Sequence, residues 1–390
     1  MKGVERIIFF IGSPILSFPI NLYGVFKKST LSLQLIALTI GFLSFLYIPN
    51  WSDDKVVYYQ LYSNCEKYGL SYLKDYLASG RPDFILHTLV YLFAFIGLNI
   101  SWLFFLVTSW TVGVSFYIFN KFAWNLPKNL YFLGFILILI SFSLPDLLSG
   151  IRFYLASSFV LLGLYGGLIE ERKLSFIHFI IGIFIHFSSV LFLVIFIILK
   201  LFNKKHDLFK VFFLVSFLFM LLPKSMIGES LKSLGLTGGY EQKAEAYLGE
   251  EDFIETGISK GSANYIYVYL MSIAWSYFCY LYLVFAKRAP SILRNITFMT
   301  FACINVFYSV TTVYARYLLV AKMIFILLFV ADQIEKPNKR LLFIFLLLLL
   351  IGIIANLIVM RNNFAESYFN LSIFSLISII INPVSYGNFL

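Results

Sequence analysis

The sequence predicts an all-α polytopic membrane protein, and three observations predict it. Of its 390 residues, 60% are hydrophobic and only 13% are charged. The mean hydropathy is +0.87, and a soluble domain cannot cover its surface with so little charge. Third, the apolar residues come in long runs joined by short basic links, the pattern of spanning helices and the charges that orient them. Together they predict about 10–12 transmembrane helices in one domain over residues 1–390, with two extracytoplasmic segments.

The net charge of +10 invites a nucleic-acid reading, but no soluble basic face exists to carry one. Its Lys and Arg lie mostly in the links, where positive charge fixes topology. The bilayer is the expected partner and nucleic acid is not. Cys279 and Cys303 sit in apolar runs and Cys65 in a polar link. No C-x-x-C or Cys/His cluster is present, so neither a disulfide framework nor a metal site is expected, and no cofactor.

Along the chain, the first apolar run, 7–26, is weakened as a span by Pro14, Pro19 and Asn21, so it is expected at the interface or as a poor span. Further runs fall at 31–48, 84–98, 101–119, 130–145, 152–169, 174–200, 209–222, 263–286, 291–308, 312–331, 341–360 and 369–382. The links with Lys27-Lys28, Lys121 and Lys128, Arg172-Lys173, Lys200 to Lys205, Lys287-Arg288 and Lys339-Arg340 should be cytoplasmic. That puts 146–151 outside and makes 174–200 a short hairpin turning at "HFSS", residues 186–189. It is short for two crossings at about 20 residues each, so a re-entrant pair is expected. Residues 84–119 divide at "GLNIS" into two helices, of which 84–98 should be re-entrant or flat. The extracytoplasmic segments are 49–82 and 223–262, the latter with a helix candidate, "YEQKAEAYLGEEDF".

With this topology the ionisable residues gather at the outer face. Asp53, Asp54, Arg81 and Asp83 lie in the first outer segment, Asp146 and Arg152 before and at the start of run 152–169, and His186 at the hairpin turn. Tyr314, Arg316 and Arg361 lie near outer helix ends. Polar groups at membrane depth usually face a cavity and pair there, which marks a functional site. Each also has a structural reading. Arg361 could snorkel to headgroups, Arg152 could cap a helix or pair with Asp146, and His186 could be held in a tight turn. Asp53-Asp54 is a weak metal motif, because adjacent side chains diverge. Arg81-Pro82-Asp83 reads as a helix start with Asp at the positive end. Ala156, Gly163, Gly166 and Gly167 suggest close helix packing, and His178 a structural role near the cytoplasmic side.

The stretch "IRFYLASSFVLLGLYGGLIEERKLSFIHFIIGIFIHFSSVLFLV" resembles the central signature of Wzy-type polysaccharide-repeat polymerases, in the EpsG-like branch. Arg152, Ala156, the basic turn Arg172-Lys173 and His186-Phe187-Ser188 match that pattern, and Asp54 with Tyr58 matches its Asp-x-x-x-Tyr. A Gln often follows the family's Arg, whereas this chain has Phe153. The resemblance implies an enzyme of the bacterial inner membrane that joins oligosaccharide repeats carried on undecaprenyl diphosphate. It would move the growing chain en bloc to a new lipid-linked repeat on the periplasmic face, making O-antigen, capsule or exopolysaccharide. A flippase and a chain-length regulator would be its partners.

Arg152 would then stabilise the leaving diphosphate, and His186 or Asp54 would take the acceptor's proton. Arg316 would share the diphosphate, with Tyr58, Arg81, Tyr314, Ser188 and Arg361 binding substrate. Three other readings stay open: a ligase or related glycosyltransferase using the same donor, a membrane acyltransferase, and a flippase of lipid-linked sugars.

Overall fold

The structure is a computed structural model that describes residues 3–50, 53–79, 83–202, 205–227, 263–286, 288–359 and 361–368. These residues form helices joined by short links, with no strand among them. The helix candidate "YEQKAEAYLGEEDF", the run 369–382, Arg81 and Lys287 lie outside the described residues.

The N-terminal run breaks in two. Helix α1 (Gly3–Gly12) stops at Ser13, whose hydroxyl accepts the Leu16 N–H and starts α2 (Pro14–Phe26), with Pro14 in its first turn and Pro19 inside it. At 13 residues, α2 is about 20 Å long and falls short of a ~30 Å hydrocarbon core. Helix α3 (Thr30–Leu46) follows.

An outer layer comes next: α4 (Asp54–Tyr68), α5 (Leu70–Ala78) and α6 (Ile85–Phe95). Helix α6 has 11 residues, about 16 Å, and a reversal follows it, with Gly97 at φ +69° and the Leu98 N–H on the Phe93 carbonyl. It starts beside Arg152, through Asp83. It ends where α7 (Ser101–Ala123) begins, with Ile100, Leu103 and Phe104 packed on Tyr58, Tyr59, Leu86 and Val90. Both ends of α6 therefore sit at one end of the molecule, so it does not cross, and α7 alone makes the return. Of the two placements expected for 84–98, both of which avoid a crossing, this is the geometry that makes the topology close.

Helix α7 runs antiparallel to α3. The approach is close because α3 offers Gly41, where an added Cβ would lie 1.9 Å from Ser109 Oγ. Lys28 Nζ donates to the carbonyls of Trp124 and Leu126, at 2.6 Å each, tying the start of α3 to the end of α7. This is the basic end. Helix α8 (Lys128–Ser141) leaves it, α9 (Leu144–Leu148) turns, and α10 (Ile151–Leu164) returns through a π-helical turn at Tyr165–Ile169.

The expected hairpin is present. Helix α11 (Phe176–Ile185) rises, Phe187–Ser189 makes the turn, and α12 (Val190–Phe202) descends until Lys200 Nζ donates to the Gly167 carbonyl at 3.0 Å. The small residues make it possible: added Cβ atoms at Gly163 and Gly167 would lie 2.6 and 2.4 Å from the rings of Phe179 and Phe196. At Gly182 a Cβ would lie 3.4 Å from the Ala156 carbonyl. The tip packs on Phe153, in the first turn of α10, where the His186 ring stands edge-on at 5.4 Å, and on Phe84, whose ring lies 5.0 Å from that of Phe184.

Helices α13 (His206–Ser216), α14 (Ala263–Phe285), α15 (Ile292–Asn305), α16 (Thr311–Glu335) and α17 (Lys339–Val359) complete the bundle, and α18 (Arg361–Tyr368) folds back over α3. There Ser367 Oγ accepts the Ile48 N–H and the Tyr368 hydroxyl donates to the Leu43 carbonyl. Among the described residues four helices have the length and composition of full spans: α7, α10 with its π turn, α16 and α17. The other apolar helices are shorter, so apolar runs outnumber full spans. Helix α16 is central, whereas only 17% of the α17 window is buried, leaving α17 to face lipid.

At the basic end α15 and α16 are locked by a buried pair. Arg294 Nη2 donates to both carboxylate oxygens of Asp332, at 2.8 and 2.7 Å, and the Tyr282 hydroxyl donates to Asp332 as well, at 2.7 Å. Removing one partner of a buried pair strands the other charge and costs about 3–5 kcal/mol, whereas an apolar replacement of both is often neutral. Arg294→Ala should therefore lower the thermal midpoint of the detergent-solubilised protein sharply, and Arg294→Met with Asp332→Leu should recover most of the loss. Equal melting of Arg294→Ala and the parent would show that the pair does not hold these helices.

Candidate active site

The site begins with a buried lysine. Lys55, in the first turn of α4, is 0% exposed. Its Nζ donates to the Ser44 and Tyr47 carbonyls at 2.7 Å each, in the last turn of α3, and lies 4.7 Å from the centroid of the Phe104 ring. Orphan carbonyls and the negative end of the helix dipole hold a cation there. Burial pulls the ammonium pKa well down, with Asp53 opposing. Its N–H donates to Ser149 Oγ at 3.0 Å. These contacts set the rotation of α4, so Asp54 and Tyr58, four residues apart, share its face toward α10.

That face lines a polar cleft of about 240 Å³, together with Asn64, Tyr76, His87 and Arg152. Arg152, in the first turn of α10, meets the positive end of the helix dipole, where a cation is disfavoured unless an anion joins it. Asp83 supplies the anion: its Oδ2 lies 3.3 Å from Arg152 Nη1, with the Asp83 side chain fully buried and that of Arg152 26% exposed. The pairing with Asp146 offered by the sequence does not form, because Asp146 accepts from Ser143 Oγ at 2.5 Å and lines a different cavity.

Asp83 organises the cleft through its backbone as well. Its carbonyl accepts from the Tyr76 hydroxyl at 3.3 Å and lies 3.1 Å from His87 Nδ1, and the rings of Tyr76 and His87 stack at 3.8 Å. A carbonyl only accepts, so Nδ1 carries the proton in this contact, and the neutral ring has its lone pair at Nε2. Burial raises the Tyr58 phenol to about 12, with Arg152 and Arg316 pulling against burial and Asp54 adding to it. Tyr58 therefore stays protonated at ordinary pH and acts as a donor. The turn before α10 stays tight: a Cβ at Gly150 would lie 3.1 Å from the Asp146 carbonyl and 3.6 Å from Asp54 Oδ2.

The structure thus brings Arg152, Asp54 and Tyr58 together. Arg316, half-buried on α16, lies within electrostatic reach of both Tyr58 and Asp146. The other sequence candidates lie elsewhere. His186 is buried behind Phe153, with Ser188 Oγ 2.6 Å from its Nδ1, and the Ser188 carbonyl accepts from Tyr317 at 3.0 Å. Tyr314 joins Tyr280, Asn305 and Ser216 in a buried polar network. Arg361 is exposed at the start of α18.

Among the residues that the sequence reading misses, His87 and Lys322 each interrupt an apolar run only once. His87 lines the cleft. Lys322, midway along α16, lines a second cavity of about 110 Å³ with Asp146, Ser143 and Asn356, its Nζ 5.4 Å from the centroid of the Trp275 ring. The signal for both was a lone ionisable side chain inside a run. Among the described residues no three His, Cys, Asp or Glu side chains come together as a metal would require.

Lys55→Met keeps the ring contacts and removes two hydrogen bonds from α3 carbonyls. A stranded buried acceptor costs about 1–3 kcal/mol, so this variant should melt measurably lower and lose activity in proportion to the disturbance of α4. A melting curve identical to the parent's would show that the lysine anchors nothing.

In comparison with known proteins, no curated protein and no solved structure matches the chain. The model of the EpsG family matches residues 30–381, a span that contains every cleft residue and both cavities. With the match covering most of its length, the chain belongs to the EpsG family, a family of Wzy-like exopolysaccharide polymerases.

Proposed function

We propose that this multi-pass membrane protein polymerises oligosaccharide repeats carried on undecaprenyl diphosphate, by en bloc glycosyl transfer in the cleft of Asp54, Tyr58, His87 and Arg152. The observation that carries this reading is that Arg152, from the family signature, opens into the same cleft as the Asp54–Tyr58 pair from a distant segment. In the reaction, an acceptor sugar hydroxyl attacks the anomeric carbon of the growing chain. The bond from that carbon to the diphosphate oxygen breaks, and the electron pair leaves with the lipid diphosphate. Arg152 offers planar, permanently charged N–H donors to that oxygen as charge develops. Arg316 adds a second cation on the same side.

The proton leaves the acceptor hydroxyl for one of the two bases in the cleft, His87 or Asp54. His87 suits neutral pH, and the Asp83 carbonyl holds it in the tautomer with a lone pair at Nε2. The hydroxyls of Tyr58 and Tyr76 bind sugar oxygens, and the Tyr76 ring offers a face for a pyranose. His186, packed on the residue after Arg152, positions α10 against the hairpin. The cleft lies opposite the basic end, so the positive-inside rule supports a periplasmic site in the inner membrane. A flippase would deliver the repeats and a length regulator would set the product, which is O-antigen, capsule or exopolysaccharide.

Electrophoresis of the surface polysaccharide after gene deletion tests the class: single repeats support a polymerase, and the absence of any repeat supports a flippase. Arg152→Lys keeps charge but loses the fork, so long chains should fall on the order of a hundredfold at unchanged membrane abundance, since one such contact is worth a few kcal/mol. Near-normal chains from Arg152→Lys would return the arginine to a structural role.

His87→Gln and Asp54→Asn separate the two bases. The variant of the true base should lose the acidic limb of the pH–rate profile, and the other should keep its shape at lower rate. Preserved limbs in both would exclude the pair. For sidedness, Ser71→Cys on α5 and Asn129→Cys at the basic end are both exposed positions. An impermeant thiol reagent should label only the first in intact spheroplasts, and the reverse pattern would invert the topology.

A further inference from the structure

The end of the molecule opposite the cleft has a built site of its own. A cavity of about 710 Å³ lies between α14 and α17, with apolar walls from Phe278, Leu281, Phe285, Leu341 and Ile344. Phe285 is 72% exposed and Leu281 57%, so these walls open toward the bilayer. At its polar end stand Arg288, Lys336 and Asn338.

Arg288 Nη2 donates to the Lys336 carbonyl at 2.7 Å. Its Nη1 is buried and has no hydrogen-bond partner among the described residues. The nearby carboxylate of Asp332 is engaged elsewhere, accepting from Arg294 at both oxygens and from Tyr282 at one. The start of α17 adds to this deficit of anions. Asn338 Oδ1 accepts the N–H groups of Arg340 and Leu341 at 3.1 Å each, and the positive end of the helix dipole lies beside the same cavity. A buried guanidinium donor, a lysine and a helix start together call for phosphate, and walls open to lipid call for an acyl chain.

We propose that this groove binds an anionic glycerophospholipid of the leaflet at the basic end, with its phosphate on Arg288 and Lys336 and an acyl chain along α14 and α17. The volume falls within the range of small-molecule sites, roughly 300–1,000 Å³. The isoprenoid carrier of the polymerase reaction is the weaker occupant, because the groove lies at the opposite end from the cleft where that carrier would react. The site stands whether or not the polymerase reading does, since the test reads binding.

The experiment measures thermal shifts and native mass spectra of the purified full chain titrated separately with phosphatidylglycerol, phosphatidylcholine and undecaprenyl phosphate. Phosphatidylglycerol should stabilise the parent and remain bound, with little effect of phosphatidylcholine. Arg288→Gln should weaken it about tenfold, the scale of one charge-assisted hydrogen bond. Leu341→Trp, which fills the groove and leaves every charge in place, should abolish the shift even if the first variant folds poorly. Equal stabilisation by phosphatidylcholine, an undiminished phosphatidylglycerol shift in Leu341→Trp, or preferential binding of undecaprenyl phosphate would overturn the proposal.

Discussion

Arg152 carries a charge that it cannot lose, at the end of α10 where the aligned peptide dipoles are already positive. An anion must come to it, and the chain supplies Asp83 from a different segment, 3.3 Å away. Much of the site end follows from that requirement. To deliver Asp83, α6 must begin beside α10 and turn back without crossing. That in turn layers α4 and α5 over the bundle and closes a polar cleft beneath them. The same residue's carbonyl then takes Tyr76 and sets the tautomer of His87. Asp83 thus ties the outer layer to α10 through its carboxylate and orients His87 through its backbone carbonyl.

The scaffold around this pair is stiff for separate reasons at its two ends. At the site end, Lys55 fills the C-terminus of α3 and α18 folds over the same turn, so the platform for α4 cannot rotate. At the basic end, Arg294 and Asp332 lock α15 to α16, and Lys28 and Lys200 close the ends of neighbouring helices on backbone carbonyls. Arg152 at the site end, Lys322 midway along α16, and Arg288 with Lys336 at the basic end line cavities.

The hairpin shows how length and depth trade against function. Its rising arm is a 10-residue helix, whose tip packs on Phe153 in the first turn of α10 and on Phe84 beside Asp83. His186 is held there against Phe153, while the side chains that line the cleft come mostly from the outer layer. Glycines at 163, 167 and 182 let the two arms press on α10.

The sequence by itself determined the class, the basic links, the hairpin and its turn, and the resemblance carried by Arg152, Asp54 and Tyr58. These depend on local quantities: hydropathy over a run, charge in a link, spacing along one helix. The tertiary structure decided what Arg152 pairs with, because the sequence offers Asp146 and reads Asp83 only as a helix start until α6 is placed. It also decided that His87 rather than His186 faces the cleft, since a lone histidine in an apolar run has no local mark of the side it faces. Lys322 was undistinguished for the same reason, and Arg288 read only as one charge of a basic link. Whether a buried cation is satisfied depends on acceptors brought from other helices, and only the packed bundle determines which acceptors remain.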